Sequence, residues 1–413
     1  MANWKKLSQE AIRDRVFNAL NQNVNYYSEK IIGIPASHLD DKVFYQDAPF
    51  LANAPFLSTL IHNPNHIGCH TLGKSESFFK GTQEIEKELI NICSNTILKG
   101  DGEFDGYVAS GGTEANLQAI WVYRNYFIQE HGADIREISI LCSSDSHYSS
   151  SKAANVLNLD IAYIPVDNES RSIDINEVKK VIDQKKTTGK KYFIAVANMM
   201  TTMFGSVDDP NTYIQALDSA GVVFKAHVDG AYGGFFYPFS TPDTNLNFSN
   251  PGVSSITLDA HKMLQAPYGT GIFLIRKDLI SYANTKEASY VEGEDFTLIG
   301  SRSGANAIAV WMILMTYGPH GWYEKILVLQ NRTDWLCTQL DELKVAYFRQ
   351  PGSNIVTIKS ENISKEIAER YGLVPDNHHD PRWYKAVIMD HVTIEKLEAM
   401  VLDMHKMYKF SVS

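Results

Sequence analysis

Cysteine is scarce in this chain, four in 413 residues, and Cys69, Cys93, Cys142 and Cys337 are scattered without Cys-x-x-Cys or metal-like spacing. Neither a disulfide framework nor a zinc site is indicated, and the thiols are expected to be reduced and structural. The first residues, Met-Ala-Asn-Trp-Lys-Lys-Leu-Ser-Gln-Glu, lack an apolar signal core, and no apolar run approaches the length of a membrane span. A cytoplasmic protein is expected. Lysine and arginine nowhere form a block and the formal charge is -10, so nucleic acid and anionic membrane are not expected partners. Internal repeats, low-complexity tracts and an obvious flexible linker are missing too. The 13 histidines include His62, His66 and His70 in one segment and His378-His379 near the end, but without fitting carboxylate or cysteine spacing. No metal site is expected.

What the chain does have is a charged residue at the end of each of two apolar runs. Asp229 stands in His-Val-Asp229-Gly-Ala-Tyr-Gly-Gly, and Lys262, 33 positions on, in Ser-Ile-Thr-Leu-Asp-Ala-His261-Lys262-Met. A second strand-like run, Gly271-Ile-Phe-Leu-Ile, follows the lysine, so a cation lies between apolar segments, where it needs a reason to be. Upstream, Gly106-Tyr-Val-Ala-Ser110-Gly111-Gly112-Thr113-Glu114-Ala-Asn reads as a strand, a tight glycine turn and a helix start, with Ser110 or Thr113 in reach of a capping role. Such a turn offers free backbone N–H groups and the positive end of a helix dipole, a seat for phosphate. A phosphate seat, an aspartate that can hold a pyridine nitrogen protonated and a lysine that can form a Schiff base are the parts a pyridoxal phosphate (PLP) enzyme needs. Pyridoxal 5'-phosphate is therefore the expected cofactor.

The composition, 44% hydrophobic and 21% charged, allows a large core and suggests one large and one smaller domain. Ile12, Val16, Leu20, Val24 and Tyr27 give a leading amphipathic helix; Ile85, Leu89 and Ile92 mark a second between Thr82 and Leu98; Leu117, Ile120 and Trp121 mark a third. Strands are expected at Ile138–Leu141, Ile161–Val166, Tyr192–Ala197, Phe224–Val228, Ser255–Leu258 and Gly271–Ile275, with helices such as Ile175–Gln184 and Tyr213–Ala220 between several of them. That order predicts an α/β fold with a mostly parallel sheet covered on both faces, whose ligand lies at the carboxyl ends of the strands beside Ser110, His147, Asp229 and Lys262. Beyond about residue 280 the pattern changes to helices at Asn306–Met315 and Trp322–Leu343, a strand at Asn354–Ile358 and a final amphipathic helix, a smaller α+β domain. The division expected is 1–55 for a leading helical segment, 56–285 for the cofactor-binding domain and 286–413 for the small domain.

Six segments in combination, Ser110-Gly-Gly-Thr-Glu-Ala-Asn116, Asp145-Ser-His147-Tyr-Ser-Ser, Thr201-Thr202-x-x-Gly205-Ser-Val-Asp208, His227-Val-Asp229-Gly-Ala231-Tyr-Gly-Gly, Asp259-Ala-His261-Lys262 and Gly300-Ser301-Arg302-Ser-Gly304, resemble the group II PLP-dependent amino acid decarboxylases. The likeness is to compact bacterial and archaeal members acting on histidine, tyrosine or aspartate. The resemblance implies fold type I with a seven-stranded-type sheet, a homodimer and active sites shared between subunits. It also implies roles: Lys262 as Schiff-base lysine, Asp229 as pyridinium partner, His147 stacked on the ring, Ala231 beneath it and Thr202 orienting the cofactor. Gly111, Gly112, Thr113 and His261 would hold the phosphate with Ser110 at the turn, while Ser301 and its neighbours would approach from the other subunit. Tyr290, shortly before Gly300-Ser-Arg, is the expected proton donor to the substrate Cα. The chain departs from the family where Gly230 follows Asp229, where Ala260 replaces a frequent proline, and where Met200 replaces the usual glycine before Thr201.

The reaction expected is decarboxylation of an L-amino acid to its amine, with histidine or an aromatic amino acid preferred. An acidic substrate, a carbon–carbon lyase and an aminotransferase using Arg349, Arg370 or Arg382 are the alternatives. A desulfurase is disfavoured, since Cys337 falls inside an apparent helix. A PLP-binding regulator would need a basic DNA-binding module that the chain does not offer.

Overall fold

Between Phe104 and Arg276 the computed structural model resolves the alternation of aliphatic runs and amphipathic stretches into one seven-stranded sheet. The structure describes residues 4–22, 55–62, 65–67, 77–242, 245–284, 294–390 and 392–410. The strands are β1 (Phe104–Ala109), β2 (Ile138–Ser143), β3 (Asp160–Ile164), β4 (Tyr192–Asn198), β5 (Val223–Gly230), β6 (Val253–Asp259) and β7 (Gly271–Arg276), in the spatial order β1-β7-β6-β5-β4-β2-β3. Within this sheet β7 alone runs against its neighbours. The other six point the same way, so one edge of the sheet collects their carboxyl ends.

Helices cover both faces, and each face has its own core. On one, α3 (Gly112–His131) and α4 (Ser149–Leu157) pack with Tyr107, Ile140, Ile194, Val196, Phe273 and Ile275. On the other, α5 (Ile175–Thr187) and α6 (Pro210–Ser219) pack with Phe193, Ala195, Val228, Ile256, Ile272 and Leu274. Successive residues of β7 thus serve opposite cores, as a strand buried on both faces must.

The small domain is an antiparallel sheet of β8 (Tyr347–Phe348), β9 (Ile355–Lys359), β10 (Val374–Pro375) and β11 (Trp383–Val387), ordered β8-β9-β11-β10. Only β9 was expected. β11 carries Trp, Tyr, Lys, Ala and Val, too short and too weakly alternating to read as a strand unaided. The final helix, Ile394–Phe410, covers this sheet through Leu397, Met400, Val401 and Met404.

The two helices expected after residue 300 form one run, α7 (Gly304–Glu342), broken at Gly318, whose φ is 63°. Residues from Ala307 to Leu329 join the large core, and those from Leu336 on join the small-domain core. The helix thereby links the two. Its break leaves a carbonyl without a helical partner, because Pro319 has no N–H to offer Met315. The amino-terminal segment supplies donors instead: Leu7 N–H donates to Met315 O at 2.9 Å and the Trp4 indole to Leu314 O at 2.6 Å. Of the leading helix, Gln9–Asn21 is described, with Ile12, Val16 and Leu20 buried; Val24 and Tyr27 lie outside the described residues.

A methyl group at Gly318 would sit 2.6 Å from the Lys6 backbone nitrogen, on a residue already in the left-handed region. Gly318→Ala is therefore expected to destabilise by about 2 kcal/mol or more. Thermal unfolding checks this, and deletion of residues 1–7 should shrink the difference between the two residues by removing the clash.

Candidate active site

The carboxyl edge of the sheet gathers the expected residues. Ser110 follows β1, His147 follows β2 by four residues, Asp229 is the penultimate residue of β5, and Lys262 lies three residues beyond β6. Asn198, Asp229 and Thr257 are lateral neighbours on β4, β5 and β6. A cavity of about 310 Å³ is lined by Ser110, Gly111, Gly112, Thr113, His147, Ala231, Asp259, His261 and Lys262, among others. It adjoins a smaller hollow lined by Asn198, Met200, Thr202, Asp229 and Tyr232, with His147, Ala231 and Lys262 common to both. A second cavity, about 640 Å³ in the small domain, is walled mainly by aliphatic side chains from Leu373 to Met400. It offers mostly carbon, and the groups capable of chemistry cluster in the first.

Asp229 is 8% exposed and fully engaged. Its Oδ2 accepts from Asn116 Nδ2 at 2.8 Å and its Oδ1 from Ala231 N–H at 3.1 Å. Both carboxylate oxygens thus accept from a neutral N–H donor. His147 Nδ1 accepts from Ser149 N–H at 3.2 Å, so the ring carries its proton on Nε2. Burial is the main force lowering the His147 pKa; Asp229 pulls against it, and Lys262 and Lys152 add to it. The imidazole is neutral near pH 7.

The glycine turn is built to pass close to its neighbours. A Cβ on Gly112 would meet Ala231 Cβ at 2.9 Å and Asp259 Oδ2 at 3.1 Å, so only glycine lets the turn close over Asp259. Gly112 N–H donates to Asp259 Oδ2 at 3.0 Å, and Asp259 Oδ1 lies 2.7 Å from His261 Nδ1. The angle between those last two atoms is too poor for a hydrogen bond, and both are buried without one. Lys262 Nζ is 3.9 Å from Asp259 Oδ2. Burial raises the Asp259 pKa, and Lys262, His261 and the Gly112 N–H oppose it. Tyr268 stacks on His261 with ring centroids 4.8 Å apart. Free backbone donors, an imidazole and an amine around a polar hollow fit a phosphorylated aldehyde cofactor.

Two expectations are corrected by this geometry. The helix after the turn is not capped by Ser110 or Thr113: its N-cap is Gly111, with no side-chain cap. Glu114 takes that part from inside the helix, its Oε2 accepting from Ser110 N–H at 2.6 Å and its Oε1 from Tyr107 O–H at 3.0 Å. Arg302 does not reach outward. It is 7% exposed, with Nη1 donating to Glu86 Oε1 at 2.5 Å and Nη2 to Glu86 Oε2 at 3.2 Å, and its guanidinium lies 4.9 Å from the Tyr107 ring centroid. Glu86 also accepts from Val108 N–H at 2.7 Å. A bidentate pair of this kind is held where it is by its own desolvation, and it braces β1 just ahead of the glycine turn. Ser301, one residue earlier, is exposed. Tyr290 lies outside the described residues.

Met200 lies in the left-handed region with φ 69° and is 3% exposed. A side chain there costs about 1 kcal/mol or more, yet it walls the hollow beside Lys262. Thr202 is exposed at the tip of the same loop, and its carbonyl accepts from Lys385 Nζ of β11 at 2.8 Å. Asn116, His227 and Asp259 have no role assigned by the sequence motifs. For His227 and Asp259 a signal exists in alternation, since β5 and β6 read His227-Val-Asp229 and Ser255-Ile-Thr257-Leu-Asp259, polar at every second position of strands covered on both faces; Asn116, on α3, carries no such signal.

Residues 84–345 match the profile of the pyridoxal-dependent decarboxylase conserved domain. The chain belongs to the pyridoxal-dependent decarboxylase family. It is 52% identical over 408 residues, 98% of each chain, to a tryptophan decarboxylase of Clostridium sporogenes. It is 31% identical over 361 residues to a probable L-tyrosine/L-aspartate decarboxylase of Methanocella arvoryzae, covering 85% of this chain and 92% of that one. L-methionine decarboxylase from Streptomyces sp. 590 superposes with a TM-score of 0.70 at 19% identity, covering 96% of this chain and 93% of the other, which shows a shared fold. The enzyme is thus a PLP-dependent amino acid decarboxylase of fold type I. Among the described residues no helix is long and apolar enough to cross a membrane, and no group of acidic, histidine and cysteine side chains could hold a metal.

Arg302→Met removes the guanidinium that balances the buried Glu86 carboxylate, and should cost about 3–5 kcal/mol of stability. Urea unfolding measures it. The double variant with Glu86→Met should recover most of that loss, since it removes the stranded charge.

Proposed function

We propose that the enzyme decarboxylates an aromatic L-amino acid, tryptophan foremost, to the corresponding amine and carbon dioxide. The observation that carries this is the 52% identity, over 98% of both chains, with a tryptophan decarboxylase. Among the described residues no arginine lines the hollow beside Lys262 to meet an acidic side chain. A homodimer with shared sites is part of the proposal, supported by the exposed Tyr148 and Tyr268, 60% and 86% accessible, at the cavity's rim. A cytoplasmic setting is in keeping with the buried free thiols of Cys93, Cys142 and Cys337.

In this reading the backbone of Gly111 and Thr113 would hold the cofactor phosphate together with Ser110 and His261, Gly112 closing the turn with its N–H on Asp259, and Ser301 of the second subunit would approach it. Lys262 would hold the aldehyde group until the substrate amine takes its place. Asp229 would serve the pyridine nitrogen, His147 and Ala231 would pack against the ring, and Thr202 would help to orient it. When bound, PLP draws electrons from the substrate Cα, so that the bond to the carboxylate breaks and carbon dioxide leaves. The protein chooses that bond by fixing the substrate's orientation. Tyr290 then gives its proton to Cα, completing the amine.

A panel of L-amino acids incubated with holoenzyme should release carbon dioxide with kcat/KM highest for tryptophan, by about tenfold or more over histidine, aspartate and glutamate. Borohydride should fix the cofactor on Lys262, and Lys262→Ala should lose turnover. A keto acid product, or labelling of another lysine, would sink the reading; preference for histidine or an acidic substrate would replace its substrate.

Tyr290→Phe should still bind substrate and still release carbon dioxide, since neither step needs that proton. Product should shift from amine toward aldehyde, with the cofactor drained into its amine form. Unchanged amine yield would transfer the acid's role to another group, His147 first.

A further inference from the structure

We infer that His227 is a positioning residue for the decarboxylation: its neutral imidazole, protonated on Nε2, fixes the Asn116 amide with its N–H toward Asp229, and through it holds Asp229 as a charged partner for the cofactor nitrogen. The inference rests on the role proposed above for Asp229.

The direction of every bond follows from one fact. A carboxylate can only accept, so the Asn116 atom 2.8 Å from Asp229 Oδ2 must be the amide nitrogen, whose other hydrogen points to Ser149 Oγ at 3.0 Å. The amide oxygen then faces His227 Nε2 at 3.0 Å and needs a proton from it. With the proton on Nε2, Nδ1 is left to accept, and Ser255 Oγ stands 2.7 Å away to donate. Ser255 Oγ in turn receives the hydroxyl of Tyr123. Donors therefore run one way, from Tyr123 through Ser255, His227 and Asn116 to Asp229.

His227, Asn116 and Ser255 are respectively 0%, 1% and 0% exposed, so water cannot replace a missing partner. The opposite tautomer would set two lone pairs against each other at Nε2 and Asn116 Oδ1. Turning the amide to relieve that would put its oxygen against the Asp229 carboxylate. Tautomer and amide orientation are thus locked together. Burial lowers the His227 pKa to about 4, outweighing the pull of Asp229 and of the Ser255 backbone, and Thr257 Oγ1 lies 3.3 Å from Nε2. The Asn116 N–H thereby fixes the position of the Asp229 carboxylate, which lines the hollow beside Lys262.

The test uses holoenzyme carrying isotope-labelled histidine or, separately, cofactor labelled at the ring nitrogen, read by nitrogen NMR. In the wild type the His227 signal should show protonation on Nε2 only, unchanged from about pH 5.5 to 8.5. His227→Leu keeps the bulk and removes the donor. It should shift the ring-nitrogen signal toward the unprotonated form and lower kcat by about tenfold or more, with a smaller change in KM. His227→Gln, which returns an N–H near the position of Nε2, should restore most of both. A folded Leu variant with unaltered ring-nitrogen signal and kcat would reduce His227 to a packed core residue. If that variant does not fold, the wild-type histidine signal and the Gln variant decide: a charged or Nδ1-protonated His227, or a Gln variant that has lost the ring-nitrogen proton, overturns the inference. Asp229→Asn is the reference. An unchanged ring-nitrogen signal there would mean that the reading of Asp229 itself is at fault, an outcome distinct from any failure at His227.

Discussion

A sheet covered on both faces has no water to satisfy polar groups on its strands, yet β5 and β6 carry a stripe of them: His227, Asp229, Ser255, Thr257 and Asp259, each 8% exposed or less. The rest of the site depends on how this stripe is satisfied. Its members alternate with Val228, Ile256 and Leu258, which belong to the opposite core, so all five face α3. Asn116 of that helix bonds to β5 at two points and to Ser149 of α4. Tyr123 reaches Ser255, and the turn ahead of the helix donates from Gly112 to Asp259. The elements that carry the glycine turn and Asp229 are thereby joined by the same buried bonds that make the stripe tolerable. An unmet group there would cost on the order of 1–3 kcal/mol.

The glycine turn has a second support on its other side. The Glu86–Arg302 pair grips Val108 and stacks on Tyr107, while Glu114 grips Ser110 and the Tyr107 hydroxyl. Two carboxylates with low exposure thus fix the last residues of β1, and their charge is balanced by Arg302 and by backbone donors. The small domain touches the site more lightly, through Lys385 on the Thr202 carbonyl and through the Tyr232 hydroxyl on Asn354 at 3.1 Å. Between the domains runs α7, whose break at Gly318 receives the amino-terminal segment. The start of the chain therefore bears on the same core as the site, though it is far from it in sequence.

The amino-acid sequence by itself determined the catalytic class of this protein. The positions of the glycine turn, of Asp229 and of Lys262 follow from strand ends and turn chemistry, which are local and have short-range signals. The main strands lie within two residues of where their apolar runs place them, because each carries aliphatic side chains toward at least one of the two cores. Short strands such as β11 left no such mark: their stability comes from partners in the sheet, not from their own pattern.

What only the tertiary structure decided is which polar groups meet. Asn116 and Asp229 are 113 residues apart, Asn116 and His227 are 111, and Glu86 and Arg302 are 216. No local rule pairs them. Arg302 read from its neighbours is a loop cation free to face another subunit; folded, it is sealed against Glu86. Alternation along β5 and β6 could announce that polar side chains lie inside, but a hydrogen bond's partner and direction depend on where helices cross the sheet, and that is fixed only when the two cores close around it.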